Sequence, residues 1–190
     1  MPFRRYQIGT VFRDGPLKAG RYREFVQCDV DVIGAASVRQ DAELLNLAQD
    51  VFAALNIKVI IRVNNRKILD GLMEAADIPV EKRNSTILSL DKMEKFGLET
   101  VKKELQEKGI DKKAQEKIIA WMSFKGTNAQ KIAALKKILP NNAGIQELEE
   151  VLVYAPQAVF DVSLARGLSY YTGTIFEVFA ENSSISSSLE

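Results

Sequence analysis

Two stretches near the start of the chain constrain its fold more than any other feature. Residues 5–13 and 23–33 both alternate between side chains of different character, which is the two-residue period of a β-strand. The segment between them contains Asp-Gly-Pro and a second glycine, residue types that favour a loop. The two stretches therefore predict an antiparallel β-hairpin.

The second predicted strand has one mainly apolar face and one mainly polar face. Its apolar face is expected to hold the sheet to the core, and it consists of Val26, Cys28, Val30 and Val32. The opposite face carries Phe25, Gln27, Asp29 and Asp31 in a row about 20 Å long. This row fits either of two interpretations, an exposed face made soluble by its charges or one wall of a binding site.

Composition excludes several classes of function. The chain has 190 residues, which suits one domain or one domain with a sizeable insertion. Its 26 basic and 25 acidic residues nearly balance, so contact with nucleic acid would need a local patch. A single cysteine and no histidine exclude an intramolecular disulfide, Ser-His-Asp and Cys-His triads and the usual zinc clusters, and no metal site is predicted. No signal peptide or membrane-spanning run is visible, so we expect a cytoplasmic protein without membrane contact.

The rest of the chain is mostly helical. Ser37 and Gln40 have the spacing of a capping box at the start of a helix that continues to Leu55. A strand over 57–64 and a helix over 66–76 follow, then helices at roughly 90–96, 98–108, 111–123, 127–138 and 144–154. Two or three further strands end near Ala180. The order of elements predicts an α+β fold with an antiparallel sheet.

Changes in composition suggest where the chain divides. Residues 1–78 and 144–180 have mixed α and β character and are expected to form one core. Residues 79–143 are helical throughout and rich in lysine and glutamate, which is typical of an inserted helical subdomain. Residues 181–190 are serine-rich and predict a disordered tail.

A second group of polar residues lies in "LARGLSYYTG". Arg166 precedes a glycine, where the backbone can turn sharply or let a ligand approach, and a buried Arg166 would need an anionic partner. Tyr170 and Tyr171 are adjacent, so in a strand they would point to opposite faces. A structural strand with a glycine bulge and a surface arginine is the alternative.

Both groups resemble motifs of one family. "FRRYQIGTVFRDGPLKAGRYREFVQCDVDVIG" resembles motif 2 of class II aminoacyl-tRNA synthetases, in the form used by histidyl-tRNA synthetases. "LARGLSYYTG" resembles the histidine-specific signature Arg-Gly-Leu-Asp-Tyr-Tyr of that family, with Ser169 in place of the aspartate. The resemblance covers residues 2–180. It implies a class II synthetase-like antiparallel sheet, flanked by helices and interrupted by a helical insertion.

The motif 2 resemblance implies an ATP site. Arg13 matches the arginine that holds the α-phosphate of ATP and the carboxylate of the amino acid. Phe25 matches the aromatic residue on which adenine stacks, and Arg21 and Arg23 match arginines near the nucleotide.

The same resemblance implies a histidine site. Gln27 matches a glutamine that holds the histidine substrate, and Asp31 matches the acidic residue that accepts a hydrogen bond from the imidazole. Arg166 matches an arginine near the carboxylate and the α-phosphate, so Arg166 and Arg13 are the expected catalytic residues. Tyr170 and Tyr171 match the tyrosine pair of the signature, of which the second reaches the imidazole. No role follows for Asp29.

The implied activity is that of a histidine–tRNA ligase. The family activates histidine with ATP and Mg²⁺ to histidyl-adenylate, transfers it to tRNA(His), and works as a homodimer. The lysines of the helical segment fit either solvated helix faces or contacts to tRNA phosphates, and they are Lys102, Lys103, Lys112, Lys113, Lys117, Lys131, Lys136 and Lys137.

The sequence also departs from the family pattern. Motif 1, motif 3 and the anticodon-binding domain are not present in the 190 residues, so we expect a catalytic-domain fragment that is inactive as an isolated chain. The alternative is a non-catalytic paralogue, such as the regulatory subunit of ATP phosphoribosyltransferase, which resembles the same core and works by binding.

Overall fold

The computed structural model describes residues 1–15, 17, 22–166 and 170–181. The chain begins with two strands and ends with two, and a long helical region lies between them. In chain order the elements are β1 (Phe3–Phe12), β2 (Glu24–Ile33), α1 (Val38–Ala54), β3 (Val59–Asn65), α2 (Arg66–Ala75), α3 (Val80–Leu90), α4 (Met93–Phe96), α5 (Leu98–Glu107), α6 (Lys112–Met122), α7 (Asn128–Ile138), α8 (Ala143–Tyr154), β4 (Val159–Phe160) and β5 (Thr174–Ala180). Within the described residues, none of the helices is both long and apolar enough to cross a membrane.

The strands form two separate sheets, and the predicted α+β class is confirmed. Strands β1 and β2 pair as the predicted antiparallel hairpin, with Phe3 opposite Ile33 and Phe12 opposite Glu24. The second sheet has the order β4-β3-β5. It is mixed rather than purely antiparallel, because β5 runs antiparallel to β3 whereas the short β4 runs parallel to it. A parallel pair needs a crossover, and here the crossover is the whole helical region from α2 to α8.

One helix start differs in detail from its prediction. Ser37 caps α1, since its side chain accepts a hydrogen bond from the Arg39 amide, but Gln40 does not complete a capping box. The Oε1 atom of Gln40 is instead buried without a hydrogen-bond partner among the described residues. The reciprocal arrangement occurs at α7, where Thr127 and Gln130 bond to each other's backbone amides.

The core lies between the three-stranded sheet and the helices. Strand β3 contributes Ile61 and Val63 to it, both at most 1% exposed. Helices α1, α2 and α8 pack around this strand through buried side chains that include Leu45, Leu72 and Leu148. The same buried cluster continues into α5, α6 and α7 through Leu105, Ile118 and Leu135. The helical region and the β3 sheet therefore share one hydrophobic core.

The hairpin lies outside that core. The β2 face that was predicted to hold the sheet to the core is largely exposed, with Val26 69% exposed, Val30 38% exposed and Cys28 also at the surface. The prediction was wrong because alternation identifies an apolar face but does not supply a layer to cover it. A two-stranded sheet packs its faces only if another element lies against it.

Candidate active site

The loop between β4 and β5 carries Arg166, and hydrogen bonds from the core fix the start of this loop. Asn64 of β3 is fully buried, and its Nδ2 atom donates to the carbonyl oxygens of Val162 and Leu164 at 3.1 and 2.9 Å. Asp161 Oδ1 accepts from the amide and the hydroxyl of Ser163 at 2.9 and 2.6 Å, which closes a tight turn. These bonds hold the backbone that leads into Arg166 against the central strand.

Helix α7 holds β4, the strand that leads into this loop. Asn128, the first residue of α7, donates from Nδ2 to the Ala158 carbonyl at 2.9 Å, and its Oδ1 atom accepts from the Phe160 amide at 2.9 Å. The side-chain amide thus satisfies the outer edge of β4 as a neighbouring strand would. These two bonds add to the parallel pairing of the two-residue β4 with β3.

Arg166 is partly buried and forms an ion pair. Its Nη1 atom donates to Oε1 of Glu177 on β5, and 24% of the Arg166 side chain and 18% of the Glu177 side chain are exposed. Burial disfavours the charged guanidinium, but the hydrogen bond and opposite charge of Glu177 outweigh burial and raise the pKa of Arg166. Glu177 is therefore the anionic partner that a buried Arg166 was expected to need.

The tyrosine pair lies beside Arg166 in an arrangement that differs from the prediction. Tyr170 and Tyr171 precede β5 and are not in a strand, so the rule that neighbours point to opposite faces does not apply to them. Their ring centroids are 4.6 Å apart and the rings are tilted by 40°. A hydrogen bond with Tyr171 is the main cause of a raised pKa at Tyr170. Tyr171 packs against the core and also interacts with the Arg166 guanidinium, whereas Tyr170 is 68% exposed.

Further charged residues surround a small pocket beside this loop. The pocket has a volume of about 50 Å³, and its charged lining comes from Arg62, Asp91, Asp161 and Glu177. This volume suits a few water molecules and not an amino acid or a nucleotide. Burial, and next the charge of Glu177, raise the pKa of Asp91, while Arg166 opposes the shift.

Sequence reasoning missed Glu177 and Asp91. Glu177 had a usable signal, since it is the one acid in the otherwise apolar strand "TIFEVFA", and such an acid is rarely buried without a cationic partner. Asp91 had no comparable signal, because only the end of α3 brings it to the pocket.

The hairpin carries the other predicted site residues. Arg13 lies just beyond β1, and its guanidinium carbon is 4.3 Å from the centroid of the Phe25 ring. Its Nε atom donates to the Tyr22 carbonyl at 3.0 Å. The Nε atom of Arg23 donates to the Gly15 carbonyl at 3.1 Å, so both arginines brace the hairpin near its loop. Arg21 lies outside the described residues.

Gln27 and Asp31 share the polar face of β2 and both have protein partners. Gln27 Nε2 donates to Asp29 Oδ1 at 2.6 Å. Asp31 Oδ2 accepts from Nε of Arg5, the residue opposite it on β1, at 2.7 Å. The expected acceptor for an imidazole is therefore paired with an arginine in this structure.

The predicted site residues thus assemble as two groups. Arg13, Phe25, Gln27 and Asp31 lie on the hairpin, whereas Arg166, Tyr170 and Tyr171 lie on the loop before β5. Among the described residues, no hydrogen bond or ion pair joins Gln27 or Asp31 to the loop group.

An ion pair also joins the hairpin to the helices. It lies on β1, whereas Gln27 and Asp31 lie on β2. Arg4 of β1 donates from Nε and Nη2 to the two carboxylate oxygens of Glu43 on α1, at 2.5 and 2.8 Å. This forked geometry fixes the relative orientation of the two side chains. It is one point of attachment between the hairpin and the rest of the chain.

Several lysines of the helical region have intramolecular partners. Lys102 pairs with Glu99, Lys117 with Asp77 and Lys136 with Glu149. For these three lysines the contacts are consistent with solvated helix faces, and contact with tRNA stays a prediction.

Comparison with known proteins identifies the family. The family model for histidyl-tRNA synthetase matches residues 1–186. Histidine–tRNA ligase 1 of Bacillus cereus is 44% identical over 197 aligned residues, which cover 100% of this chain and 45% of that protein. The crystal structure of histidyl-tRNA synthetase from Nostoc superposes with a TM-score of 0.82 at 34% identity, over 93% of this chain and 43% of that one.

A solved structure at low sequence identity shows a likeness of fold alone. It is an ATP phosphoribosyltransferase regulatory subunit/histidyl-tRNA synthetase from Bacillus halodurans, with a TM-score of 0.78 at 16% identity, over 97% of this chain and 50% of that one. The chain spans about half the length of these relatives. The family match over nearly the whole chain and the identity of the Bacillus cereus relative together show that this chain belongs to the histidyl-tRNA synthetase family.

Proposed function

We propose that the protein acts in the ATP-dependent activation of histidine to histidyl-adenylate and in its transfer to tRNA(His). The observation that carries this proposal is the position of Arg166, a partly buried guanidinium that follows a backbone segment bonded to the core and lies beside a tyrosine hydroxyl. A cation held in this way suits the carboxylate of an amino acid better than a free surface arginine would, because its orientation does not have to be fixed on binding.

Activation joins two anionic groups. A carboxylate oxygen of histidine attacks the α-phosphorus of ATP, the new O–P bond forms, and the bond to pyrophosphate breaks. Arg166 binds the carboxylate, and Arg13 binds the α-phosphate, so that the two cations offset the repulsion and stabilise the charge on the phosphate oxygens. The carboxylate is already ionised at neutral pH, so the step needs no general base.

Selection of histidine would come from the polar face of β2 and the tyrosine pair. Gln27 hydrogen-bonds to the histidine substrate, Asp31 accepts a hydrogen bond from the imidazole, and Tyr171 offers a hydroxyl to the imidazole. A site built on such bonds rejects side chains that leave its polar groups unpaired. Phe25 supplies the surface for adenine, and Arg21 and Arg23 lie near the nucleotide.

The proposal includes the wider organisation of the enzyme. We assign residues 1–78 and 144–180 to the catalytic core, residues 79–143 to a helical insertion and residues 181–190 to a tail. The working form is a cytoplasmic homodimer, and Mg²⁺ enters with ATP as part of the substrate. No observation favours the regulatory-subunit alternative, since its support is a likeness of fold.

Calorimetric titration of the 190-residue chain with L-histidine tests the proposal. We expect saturable binding with a Kd of about 1 mM, and at least tenfold weaker binding of L-histidinamide, which lacks the carboxylate charge that Arg166 would bind. Arg166→Ala should remove this preference, whereas Arg39→Ala, a change to an exposed arginine on α1, should leave it intact. Equal binding of L-asparagine, or no saturable binding of L-histidine, would contradict the proposal.

The isolated chain should catalyse negligible histidine-dependent exchange of pyrophosphate into ATP. The reason is that the hairpin residues expected to bind histidine are engaged within the hairpin, Asp31 with Arg5 and Gln27 with Asp29. An exchange rate comparable to that of a full-length ligase would show that this prediction is wrong.

A further inference from the structure

Glu177 is an acid in an unusual place. It lies in β5, between Phe176 and the buried Val178, and only 18% of its side chain is exposed. Glutamates are rarely this well covered unless they are paired. Its carboxylate is therefore stable at this position only together with a cation.

Two arginines are close to β5, and each pairs with a carboxylate among the described residues. Arg62 lies directly opposite Glu177 in the β3–β5 register, and its Nη1 atom is 3.4 Å from Oδ2 of Asp161. The Arg62 guanidinium also covers the Phe179 ring at 4.3 Å. Glu177 contacts Nη1 of Arg166.

The neighbouring acid does not replace Glu177 in this role. Asp91 lines the same pocket, but among the described residues no hydrogen bond or ion pair joins it to Arg166. Glu177 is the carboxylate that hydrogen-bonds to the guanidinium. An arginine has five N–H donors, so the bond from Nη1 to Glu177 does not use all the donors that an anionic ligand needs.

We propose that Glu177 is a positioning residue for Arg166, which it holds in the orientation needed to bind the carboxylate of histidine. This inference rests on the proposed function for the ligand, but not for the restraint on Arg166. Glu177 contacts no substrate itself. It acts because a guanidinium restrained before binding loses less freedom when the anion arrives.

The test combines an NMR observation without ligand and a binding measurement. The Nε–Hε signal of Arg166 in the ¹⁵N-labelled chain is assigned from its loss in Arg166→Lys, and its hydrogen-exchange rate is measured. L-histidine affinity is measured on the same samples. The variants are Glu177→Ala, which removes charge and acceptor, and Glu177→Gln, which keeps an acceptor oxygen. Glu104→Gln is the control, because Glu104 is also a well-covered carboxylate but pairs with Lys92 and Lys108.

We expect Glu177→Ala to speed exchange at Arg166 Nε at least tenfold and to weaken L-histidine binding about tenfold. Glu177→Gln should fall between Glu177→Ala and the unchanged chain in both measurements, and Glu104→Gln should alter neither. Unchanged exchange in Glu177→Ala would overturn the positioning role, and so would unchanged or tighter histidine binding, which would mean that Glu177 competes with the substrate. If exchange depends on Glu177 but the unchanged chain binds no L-histidine, the proposed function fails while the restraint on Arg166 stands.

Discussion

The hairpin and the three-stranded sheet both consist of regular strands, but their surroundings are opposite. Ile8 of β1 is 64% exposed, whereas Ile61 of β3 is 1% exposed. Both belong to regular strands, so strand propensity does not explain the difference. Helices α1, α2 and α8 cover β3, and no comparable layer covers β1 and β2 in the part of the chain that the structure describes. The comparison shows that a β-strand is stabilised mainly by what packs against its faces.

This difference divides the candidate site. Arg166 and Tyr171 lie on a loop whose backbone bonds to the buried Asn64 and whose tyrosine packs on the core. Arg13, Phe25, Gln27 and Asp31 lie on a hairpin stabilised by its own ladder and by side-chain pairs across it. The loop half should therefore be more rigid than the hairpin half.

Matched isoleucine substitutions should give the largest effect. Ile61→Ala leaves a cavity in the core and should lower the free energy of unfolding by about 2–5 kcal/mol. Ile8→Ala removes an exposed side chain and should cost less than about 0.5 kcal/mol. Denaturant unfolding of both variants measures the two values, and similar losses would mean that the hairpin is buried in solution.

Loss of the Asn64 side chain should have the next largest effect. Asn64→Ala leaves the carbonyl oxygens of Val162 and Leu164 without their donor, and we expect a loss of about 1–3 kcal/mol in unfolding free energy. Amides around residue 166 should also exchange faster. Asn46→Ala is the matched control, because Asn46 makes a similar bond to the Tyr154 carbonyl at an exposed position. An equal effect of both variants would contradict the assignment of Asn64 as the fixed point of the loop.

The two acids near the helical region should respond to pH in opposite directions. Hydrogen bonds from Lys92 and Lys108 lower the pKa of Glu104 to about 2, so its contribution to stability is present above pH 4.5 and is lost as pH falls towards 2. Burial raises the pKa of Asp91 above 3.8, so its contribution is present below pH 3.8 and is lost as pH rises through the raised value.

Unfolding measured between pH 2 and pH 7 checks both directions. Glu104→Gln should destabilise the chain at pH 7 and flatten its acid response. Asp91→Asn should stabilise the chain at pH 7, because it removes the cost of burying a charge. The opposite sign for either variant would show that its environment in solution differs from the structure.

The smallest effect is expected at the attachment of the hairpin. Glu43→Gln removes the charge that Arg4 binds, and we expect little change in unfolding because both side chains are exposed. The orientation of β1 relative to α1 should change, which residual dipolar couplings of the backbone amides detect. Glu150→Gln, a change to an exposed acid paired with Arg39, is the control. Unchanged couplings in Glu43→Gln would mean that other contacts orient the hairpin.

Local sequence patterns were enough to predict elements that are defined by local chemistry. The glycines that punctuate the lysine- and glutamate-rich segment predicted helices over 98–108 and 127–138, and the structure has Leu98–Glu107 and Asn128–Ile138. Helix α3 was not predicted as a separate element, since its Asn84, Ser85 and Thr86 have low helix propensity and no side chain caps its start. Packing of Ile87 and Leu90 in the core stabilises it instead.

Contacts between distant segments could not be predicted in the same way. If Arg166 is buried, it needs an anionic partner, and this could be inferred from the sequence. That the partner is Glu177 depends on the pairing of β5 with β3, which places Glu177 near the loop. The exposure of Val26 and the pairing of Asp31 with Arg5 depend on strand register and on the layer outside the hairpin. Strand register and the covering layer depend on tertiary structure, so the alternation of side chains does not predict them.

Residue-level hydrogen exchange, with and without saturating L-histidine and ATP, tests most directly whether the two halves form one site of unequal stability. We expect β2 amides in the free chain to exchange through local opening, and β3 amides only through global unfolding. The ligands should then slow exchange in β2 much more than in β3. Equal protection of β2 and β3 in the free chain, or no response of β2 to the ligands, would contradict this division of the site.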